Sequence, residues 1–282
     1  MRRGSWLLLC LMAAAPLRAQ APTVSWSPAA PSQGTLFTIE LTATPTSGQA
    51  AGQFAGEPLH FRDLGGGRRS ALAAVPVDAP RELPLELTVA GEPLRRTIPI
   101  GAGKYRLEHL TVAPQFGSPL PPALQRRTEQ ETARAYAVAS AAHASEPMWT
   151  PGEFVRPRPG RVTSGFGNGR EFNGQVDSRH MGTDFSGSVG DPVVAPAPGV
   201  VELVASFYLG GNVIYIDHGG GLSTGYLHLS RADVAVGDTV AAGQRIGAVG
   251  ATGRVTGPHL HWIVRYGAIT VDPLSVFDLP RP

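Results

Sequence analysis

Cysteine and long apolar runs are scarce in this 282-residue chain. Its one cysteine, Cys10, lies in an N-terminal apolar stretch, Trp6–Ala15, whose ten residues are about half of the roughly 20 that span a bilayer. Arg2 and Arg3 precede this stretch, and Ala19-Gln20-Ala21 follows it as a small-x-small exit. The pattern is typical of a secretory signal peptide over residues 1–21. We therefore expect a mature protein without disulfides or a membrane-spanning segment, located in the periplasm or outside the cell.

Lysine is also nearly missing, since Lys104 is the only one. Removal of the signal peptide takes three of the 24 basic residues and leaves 21 against 22 acidic ones. This balance gives no basic patch for nucleic acid or anionic lipid. The segment 236–244 resembles the strand-turn pattern of biotinyl and lipoyl carrier domains, which need an acceptor lysine at a hairpin tip. Lys104 is far from that segment, so a carrier function is excluded.

The order of sequence patterns predicts an all-β protein in two parts. Residues 22–115 alternate apolar and polar side chains between turn signals, which is typical of a small, immunoglobulin-like β-sandwich. Residues 116–159 form a helical and proline-rich connector, with the helix expected over 123–144 because this stretch lacks glycine and proline. Glycine-punctuated strands return over residues 160–277 and predict a second β domain.

Two histidines on one predicted strand carry the first chemical signal. His259-Leu260-His261 leads into a β-branched and aromatic segment, Trp262–Tyr266, which favours a strand. Residues two apart on a strand point to the same side, so both imidazoles should face one site while Leu260 faces the core. A pair of this kind indicates a metal site more strongly than a lone histidine does.

A second motif, His180-Met181-Gly182-Thr183-Asp184, supplies a carboxylate and another imidazole. On a straight strand four residues span roughly 13 Å, too far for two ligands of one metal. We expect a bend at Gly182, which tolerates unusual dihedral angles, to bring His180 and Asp184 together. The alternative is a hydrogen-bonded His–Asp pair without a metal.

Together the two motifs predict a catalytic zinc site. Three protein ligands and a water are the pattern of catalytic zinc, whereas calcium and magnesium prefer oxygen ligands. His228, in Gly225-Tyr226-Leu227-His228, is a further candidate, and strand alternation places it on the same face as Tyr226. His218 leads into a turn, and we expect a structural role for it.

These motifs are similar to the two signatures of the lysostaphin and LytM type zinc endopeptidases. Three flanking segments strengthen the resemblance, which covers roughly residues 160–273: Val162–Gly167, Tyr226–Ser230 and Thr252–Pro258. One departure is Asn168-Gly169, where relatives often carry an arginine. The resemblance implies an antiparallel β-sheet peptidase domain at the C-terminus, with one zinc bound by His180, Asp184 and His261. It also implies that His228 and His259 are catalytic histidines that do not bind the metal. The resemblance does not assign the role of general base to one or the other.

The function implied by the resemblance is hydrolysis of peptide cross-links in bacterial peptidoglycan, either glycine bridges or D-amino-acid cross-links. Because the substrate is a covalent network, we expect an open groove, flanked by glycines around Gly210 and Gly219. The alternative is a non-catalytic activator of cell-wall amidases, as in relatives that have lost their zinc ligands. Besides peptidoglycan, cell-wall or division-machinery proteins are candidate partners.

Overall fold

The computed structural model describes residues 21–43 and 50–281, so the predicted signal peptide lies outside the described residues except for Ala21. Strands dominate these residues and confirm the predicted all-β class. The first part of the chain contains β1–β9, in order Thr23–Ser27, Leu36–Thr42, Ala50–Phe54, Glu57–Pro58, Arg62–Gly65, Arg68–Ala74, Glu82–Val89, Glu92–Pro99 and Leu107–Leu110. The second part contains β10–β21, in order Val162–Ser164, Gly169–Phe172, Val176–Arg179, Thr183–Ser186, Pro192–Val194, Gly199–Phe207, Gly211–Gly219, Leu222–Ala232, Thr239–Val240, Arg245–Val249, His259–Tyr266 and Ile269–Val271.

Two four-stranded sheets, β1-β2-β6-β5 and β4-β3-β7-β8, make up the N-terminal part. Alternation in β2 buries Phe37, Ile39 and Leu41, and alternation in β7 buries Leu85 and Leu87. These side chains meet in one apolar cluster. Burial of alternate residues from two facing sheets is how a sandwich forms its core.

The helix α1 spans Pro122–Ala141, close to the predicted 123–144, and continues as a 3-10 turn over Ala142–Ala144. Two further 3-10 turns cover Pro114–Phe116 and Pro273–Phe277. Proline suits the first turn of α1 because its missing N–H would have no partner there. Ala135 and Val138 pack against Leu203, Phe207 and other apolar residues of β15 and β16. None of the helices in residues 21–43 and 50–281 is both long and apolar enough to cross a bilayer.

A ten-stranded sheet forms the C-terminal part, with the main order β10-β13-β20-β17-β16-β15-β18. Neighbours on this path pair antiparallel, as expected from the resemblance. A separate sheet has the order β12-β11-β9, in which β9 pairs parallel with β11. Although β9 falls in the segment predicted for the sandwich, it therefore joins the C-terminal part. The sequence offered no local signal for this pairing, because its two strands are about 60 residues apart.

Polar contacts also connect the two parts of the chain. Glu57, beside the β3–β4 turn, accepts hydrogen bonds from His143 Nε2–H at 2.8 Å and from the backbone N–H of Ala268 at 2.9 Å. His143 Nδ1 is then the acceptor for His60 Nε2–H, at 2.8 Å. Glu57 thus links the sandwich, the end of α1 and the C-terminal sheet.

Candidate metal centre

The β13–β20 ladder places three candidate ligands together. Asp184 on β13 lies directly opposite His261 on β20, and directly opposed residues in a sheet have neighbouring side chains. His180 lies just after β12 and enters the same space. The distances are 3.0 Å from His180 Nε2 to Asp184 Oδ1, 2.9 Å from His180 Nε2 to His261 Nδ1, and 2.7 Å from His261 Nδ1 to Asp184 Oδ1. One carboxylate and two imidazoles therefore converge on one point.

Gly182 makes this convergence possible by bending the chain, as we expected, and by its lack of a side chain. The chain does break between β12 and β13, but Gly182 does not have a left-handed φ angle. A Cβ atom at this position would instead lie 2.6 Å from the Trp262 carbonyl oxygen and 2.7 Å from the His261 ring. Glycine is needed here because β20 passes so close, and the predicted bend at Gly182 is confirmed.

The donor atoms fit a zinc ion. Two ligands of a tetrahedral zinc, each at about 2.0–2.1 Å, lie about 3.3 Å apart, close to the observed separations. His180 Nδ1–H donates to the Gly165 carbonyl at 2.7 Å, which leaves Nε2 as the ligand atom. Of the described residues, His180, Asp184 and His261 are the only group of at least three His, Cys, Asp or Glu side chains arranged to hold a metal. All three side chains are buried.

Electrostatics keep these groups in the form that binds a cation. Burial opposes ionisation of Asp184, but the close contacts of this carboxylate with the His180 and His261 rings outweigh it and hold the pKa of the carboxyl well below its usual range. Burial lowers the pKa of His261 to about 4, although Asp184 acts in the opposite direction. At neutral pH Asp184 is thus ionised and His261 neutral, as metal ligation requires.

His259 and His228 lie beside the cluster, and in each ring one nitrogen is hydrogen-bonded to a backbone carbonyl. His259 Nδ1–H donates to the Gly257 carbonyl at 2.8 Å, and His259 Nε2 lies 3.7 Å from Asp184 Oδ1. His228 Nδ1–H donates to the Thr252 carbonyl at 2.9 Å, and the His228 and His259 ring centroids are 4.9 Å apart. Burial, together with His261 and His259, lowers the pKa of His228 well below its ordinary value. Each ring therefore keeps Nε2 for chemistry.

The predicted orientation of His228 relative to Tyr226 was wrong. A β-bulge in β17 places two residues of this strand, Leu227 and His228, against one residue of β16, Val213. His228 has a φ angle of 63°, and it faces the site while Tyr226 is buried in the core. A bulge reverses the alternation beyond it.

His218 lies in a different environment. Its Nδ1–H donates to the Pro198 carbonyl at 2.7 Å, and its Nε2 accepts from the Thr224 hydroxyl at 2.8 Å. Burial lowers the pKa of His218 to about 4. Both ring nitrogens thus have partners in the described part of the chain.

Two functional neighbours escaped the sequence analysis, Arg170 and Glu108. Arg170 donates to the Asp184 carboxylate from Nη2 and to Glu108 Oε2 from Nε, the latter at 3.2 Å. Glu108, on β9, also accepts from Ser164 Oγ–H at 2.8 Å and from Asn168 Nδ2–H at 2.7 Å. An arginine therefore does reach the site, two residues after Asn168. The only sequence signal near Arg170 was the departure from the family pattern at Asn168-Gly169, where relatives often carry an arginine.

Two cavities flank the cluster. The helix-side cavity, about 290 Å³, is lined by Thr128, Glu131 and Thr132 of α1 and by His180, His228 and His261. The strand-side cavity, about 260 Å³, is lined by Glu108, Leu110 and Val112 and by Asp184, His228 and His259.

The glycines predicted to flank a groove have different positions. Gly210 lines the helix-side cavity, as expected. Gly219 packs against the backbone of Glu146 and lines neither of the two cavities, so the expectation for it was wrong. Part of each wall also comes from outside the predicted limits of the C-terminal domain, from α1 in the helix-side cavity and from β9 and the residues just after it in the strand-side cavity.

The ten-stranded sheet carries a His–Asp–His cluster suited to a metal, with two further histidines beside it. These features are those of a metallopeptidase domain. Residues 178–273 match the model of the family described as Peptidase family M23. The C-terminal domain of this chain belongs to that family, which confirms the resemblance to lysostaphin and LytM type peptidases.

Curated relatives and a solved structure agree with this assignment. The peptidoglycan DD-endopeptidase ShyC of Vibrio cholerae is 43% identical over 123 residues, which are 43% of this chain and 28% of ShyC. The DD-carboxypeptidase/endopeptidase Mpg of Neisseria meningitidis is 44% identical over 103 residues, which are 36% of this chain and 24% of Mpg. The matches thus span about a quarter of these relatives. A Pseudomonas aeruginosa structure assigned to peptidase M23 covers 88% of this chain and 95% of its own, with a TM-score of 0.66 at 27% identity.

Proposed function

We propose that this protein is a zinc endopeptidase that hydrolyses peptide cross-links of bacterial peptidoglycan. The observation that carries the proposal is the convergence of His180, Asp184 and His261 beside two histidines, His228 and His259, whose Nε2 atoms make no hydrogen bond to another described residue. The names of ShyC and Mpg add support, and they favour bonds between D-residues over glycine bridges.

His180, Asp184 and His261 are the proposed ligands of one zinc ion. When bound, zinc supplies Lewis acidity and lowers the pKa of a water to around 7. Three protein ligands leave a coordination position open. Arg170 donates to Asp184, and the Gly165 carbonyl accepts from His180. These hydrogen bonds orient the two ligands, as partners of metal ligands generally do.

His228 and His259 are the proposed proton carriers. Each ring has Nδ1–H donated to a backbone carbonyl, so Nε2 is the atom that accepts a proton from the attacking water. The same nitrogen can then return that proton to the leaving amine, a role typically worth 10²–10⁴-fold in rate. The second imidazole, when it has taken a proton from solvent at Nε2, can donate a hydrogen bond to the developing oxyanion.

The two cavities give an extended substrate room on both sides of the cluster. Together they run from α1 to β9, and His228 lies at their junction. An elongated site suits a peptide that remains attached to a large network. The N-terminal signal predicted from residues 1–21 would place the protein outside the cytoplasm, where that network lies. Intact mass of the exported protein, expected to begin near Gln20 or Pro22, tests this location.

The test of the function uses mature protein and isolated peptidoglycan sacculi. We expect about one zinc per chain and release of cross-link fragments, identified by mass spectrometry, that a chelator abolishes. His261→Ala should lose most of the zinc. His259→Ala and His228→Ala should keep it and lose at least about 10²-fold in rate. His109→Ala, which removes an exposed imidazole on β9, serves as the matched control and should change neither quantity.

Three outcomes would contradict the proposal. Full zinc occupancy in His261→Ala would remove that residue from the ligand set. Loss of zinc from folded His259→Ala would make His259 a ligand. Zinc-loaded wild-type protein that releases no fragments, but stimulates an added amidase even as His259→Ala, would indicate an activator instead.

A further inference from the structure

Arg254 is a cation without an anion beside the candidate centre. Its guanidinium carbon lies 4.0 Å from the centroid of the Phe172 ring, over which it stacks. Arg170, the other arginine that lines both cavities, is already paired with Glu108 and Asp184. In the described part of the chain no carboxylate lies within 4.0 Å of the Arg254 guanidinium, and no acceptor is hydrogen-bonded to it.

The surroundings of Arg254 favour an anionic ligand. The side chain is half-buried, and burial together with the neighbouring Arg170 lowers the pKa of Arg254 to about 10. The guanidinium thus remains charged at neutral pH, yet it is less well stabilised than it would be in water. A partly buried charge without a partner is unfavourable, and a carboxylate that bound it in a bidentate manner would offset that cost.

The position of Arg254 is fixed relative to the catalytic candidates. Its backbone N–H donates to the Leu209 carbonyl at 2.8 Å, and Thr252, two residues earlier, holds His228 Nδ1–H. The stack on Phe172 sets the plane of the guanidinium, as aromatic faces do for arginine. Arg254, Phe172 and His228 line both cavities. Arg254 therefore lines the space that is open to a peptide on both sides of the cluster.

We propose that Arg254 binds a substrate carboxylate attached to the carbon next to the scissile nitrogen, and so determines which cross-links are cut. The inference rests on the proposed function. In a direct cross-link between D-residues, the amide nitrogen belongs to a diamino acid whose carboxylate sits on that neighbouring carbon. A glycine bridge has no carboxylate at the corresponding place. Arg254 thus selects direct cross-links by charge.

The test compares two synthetic cross-linked peptides that differ only at this group, one with the free carboxylate and one with the primary amide. For the wild-type protein we expect kcat/KM to be about 10–100-fold higher for the free acid, the range for charge-assisted hydrogen bonds. Arg254→Gln should lose that factor on the acid, keep its rate on the amide, and bring the ratio near one. Arg254→Lys should keep part of the preference, because lysine retains the positive charge but lacks the paired N–H donors with which a guanidinium binds a carboxylate.

Arg245→Gln is the matched control, because it removes an arginine that pairs with Asp233 outside the two cavities. It should leave the acid-to-amide ratio unchanged. A general loss of packing in Arg254→Gln would lower both rates together, and thermal melting would detect it. The inference is overturned if the wild-type protein cuts both peptides equally, or if Arg254→Gln keeps the wild-type ratio. If the wild-type protein cuts neither peptide nor sacculi, the proposed function itself fails.

Discussion

Replacement of Gly182 by alanine tests whether close packing of β20 assembles the metal centre. The new Cβ would lie 2.6 Å from the Trp262 carbonyl oxygen and 2.7 Å from the His261 ring. Neither neighbour can move easily, since β13 and β20 pair Thr183 with Trp262 and Asp184 with His261. Relief of the clash must therefore either open this ladder or turn the His261 ring away from Asp184.

Both responses have measurable sizes. Overpacking of a tight site typically costs about 1–3 kcal/mol. In a domain of this size each kcal/mol lowers Tm by about 2–4 °C. Displacement of His261 should weaken zinc binding by about 10–100-fold, the usual effect of disturbing the support of a ligand. Melting of the metal-free protein measures the packing cost, and competition with a chromophoric chelator measures the zinc affinity.

Gly165→Ala is the matched control in the same site. Its Cβ would meet nothing within 4 Å, and its φ is not left-handed, although its carbonyl accepts the His180 Nδ1–H bond. We expect Gly165→Ala to keep the wild-type Tm and zinc affinity. The reasoning is refuted if Gly182→Ala behaves like Gly165→Ala in both measurements.

Two further predictions concern stability. Burial lowers the pKa of His218 to about 4 in the folded state, whereas the pKa of histidine in the unfolded state is near 6.5. Between these two values the unfolded state binds more protons than the folded state. The stability contributed by His218 is therefore full above about pH 6.5 and falls by up to roughly 3 kcal/mol as the pH approaches 4. Urea unfolding at pH 7.5 and 4.5 should show a smaller pH dependence for His218→Gln than for the wild type, and equal dependence would contradict this. Glu57→Gln should lower the free energy of unfolding by about 1–3 kcal/mol because it weakens the half-buried contact with His143. Glu86→Gln, which disrupts an exposed pair, should cost less than about 1 kcal/mol, and similar losses in the two variants would argue against a special role for Glu57.

Regular strands could be predicted from the sequence because alternation is a local property. His259 and His261 both approach Asp184 from one face of β20, and Leu260 is fully buried on the other, as their spacing indicated. In β2, Phe37, Ile39 and Leu41 enter the apolar cluster of the sandwich as their spacing indicated, although Thr38 between them is buried too. In both places the neighbouring strands pair without a register shift, so nothing interrupts the period of two.

Contacts between distant segments could not be predicted in this way. Glu108 reaches Arg170 and Ser164 only because β9 pairs with β11 across about 60 residues of chain. The helix α1 lines a cavity because its apolar residues cover β15 and β16, which amphipathicity alone does not specify. The composition of such walls depends on docking of whole elements.

The bulge at His228 shows why a site can depart from the local rule that the rest of its strand obeys. Tyr226 is fully buried, and its hydroxyl bonds to Thr224 Oγ1 at 2.8 Å. With strict alternation His228 would share that side, and a histidine would enter the core or a tyrosine would leave it. One extra residue reverses the alternation after Tyr226, so both Leu227 and His228 line the helix-side cavity. The cost is a left-handed φ of 63° at a residue other than glycine, of the order of 1–3 kcal/mol. Hydrogen bonds from the His228 backbone N–H to Gly210 and from Nδ1–H to Thr252 help to hold this conformation. The strand thus supplies a core tyrosine and a site histidine two positions apart, which a regular strand could not do.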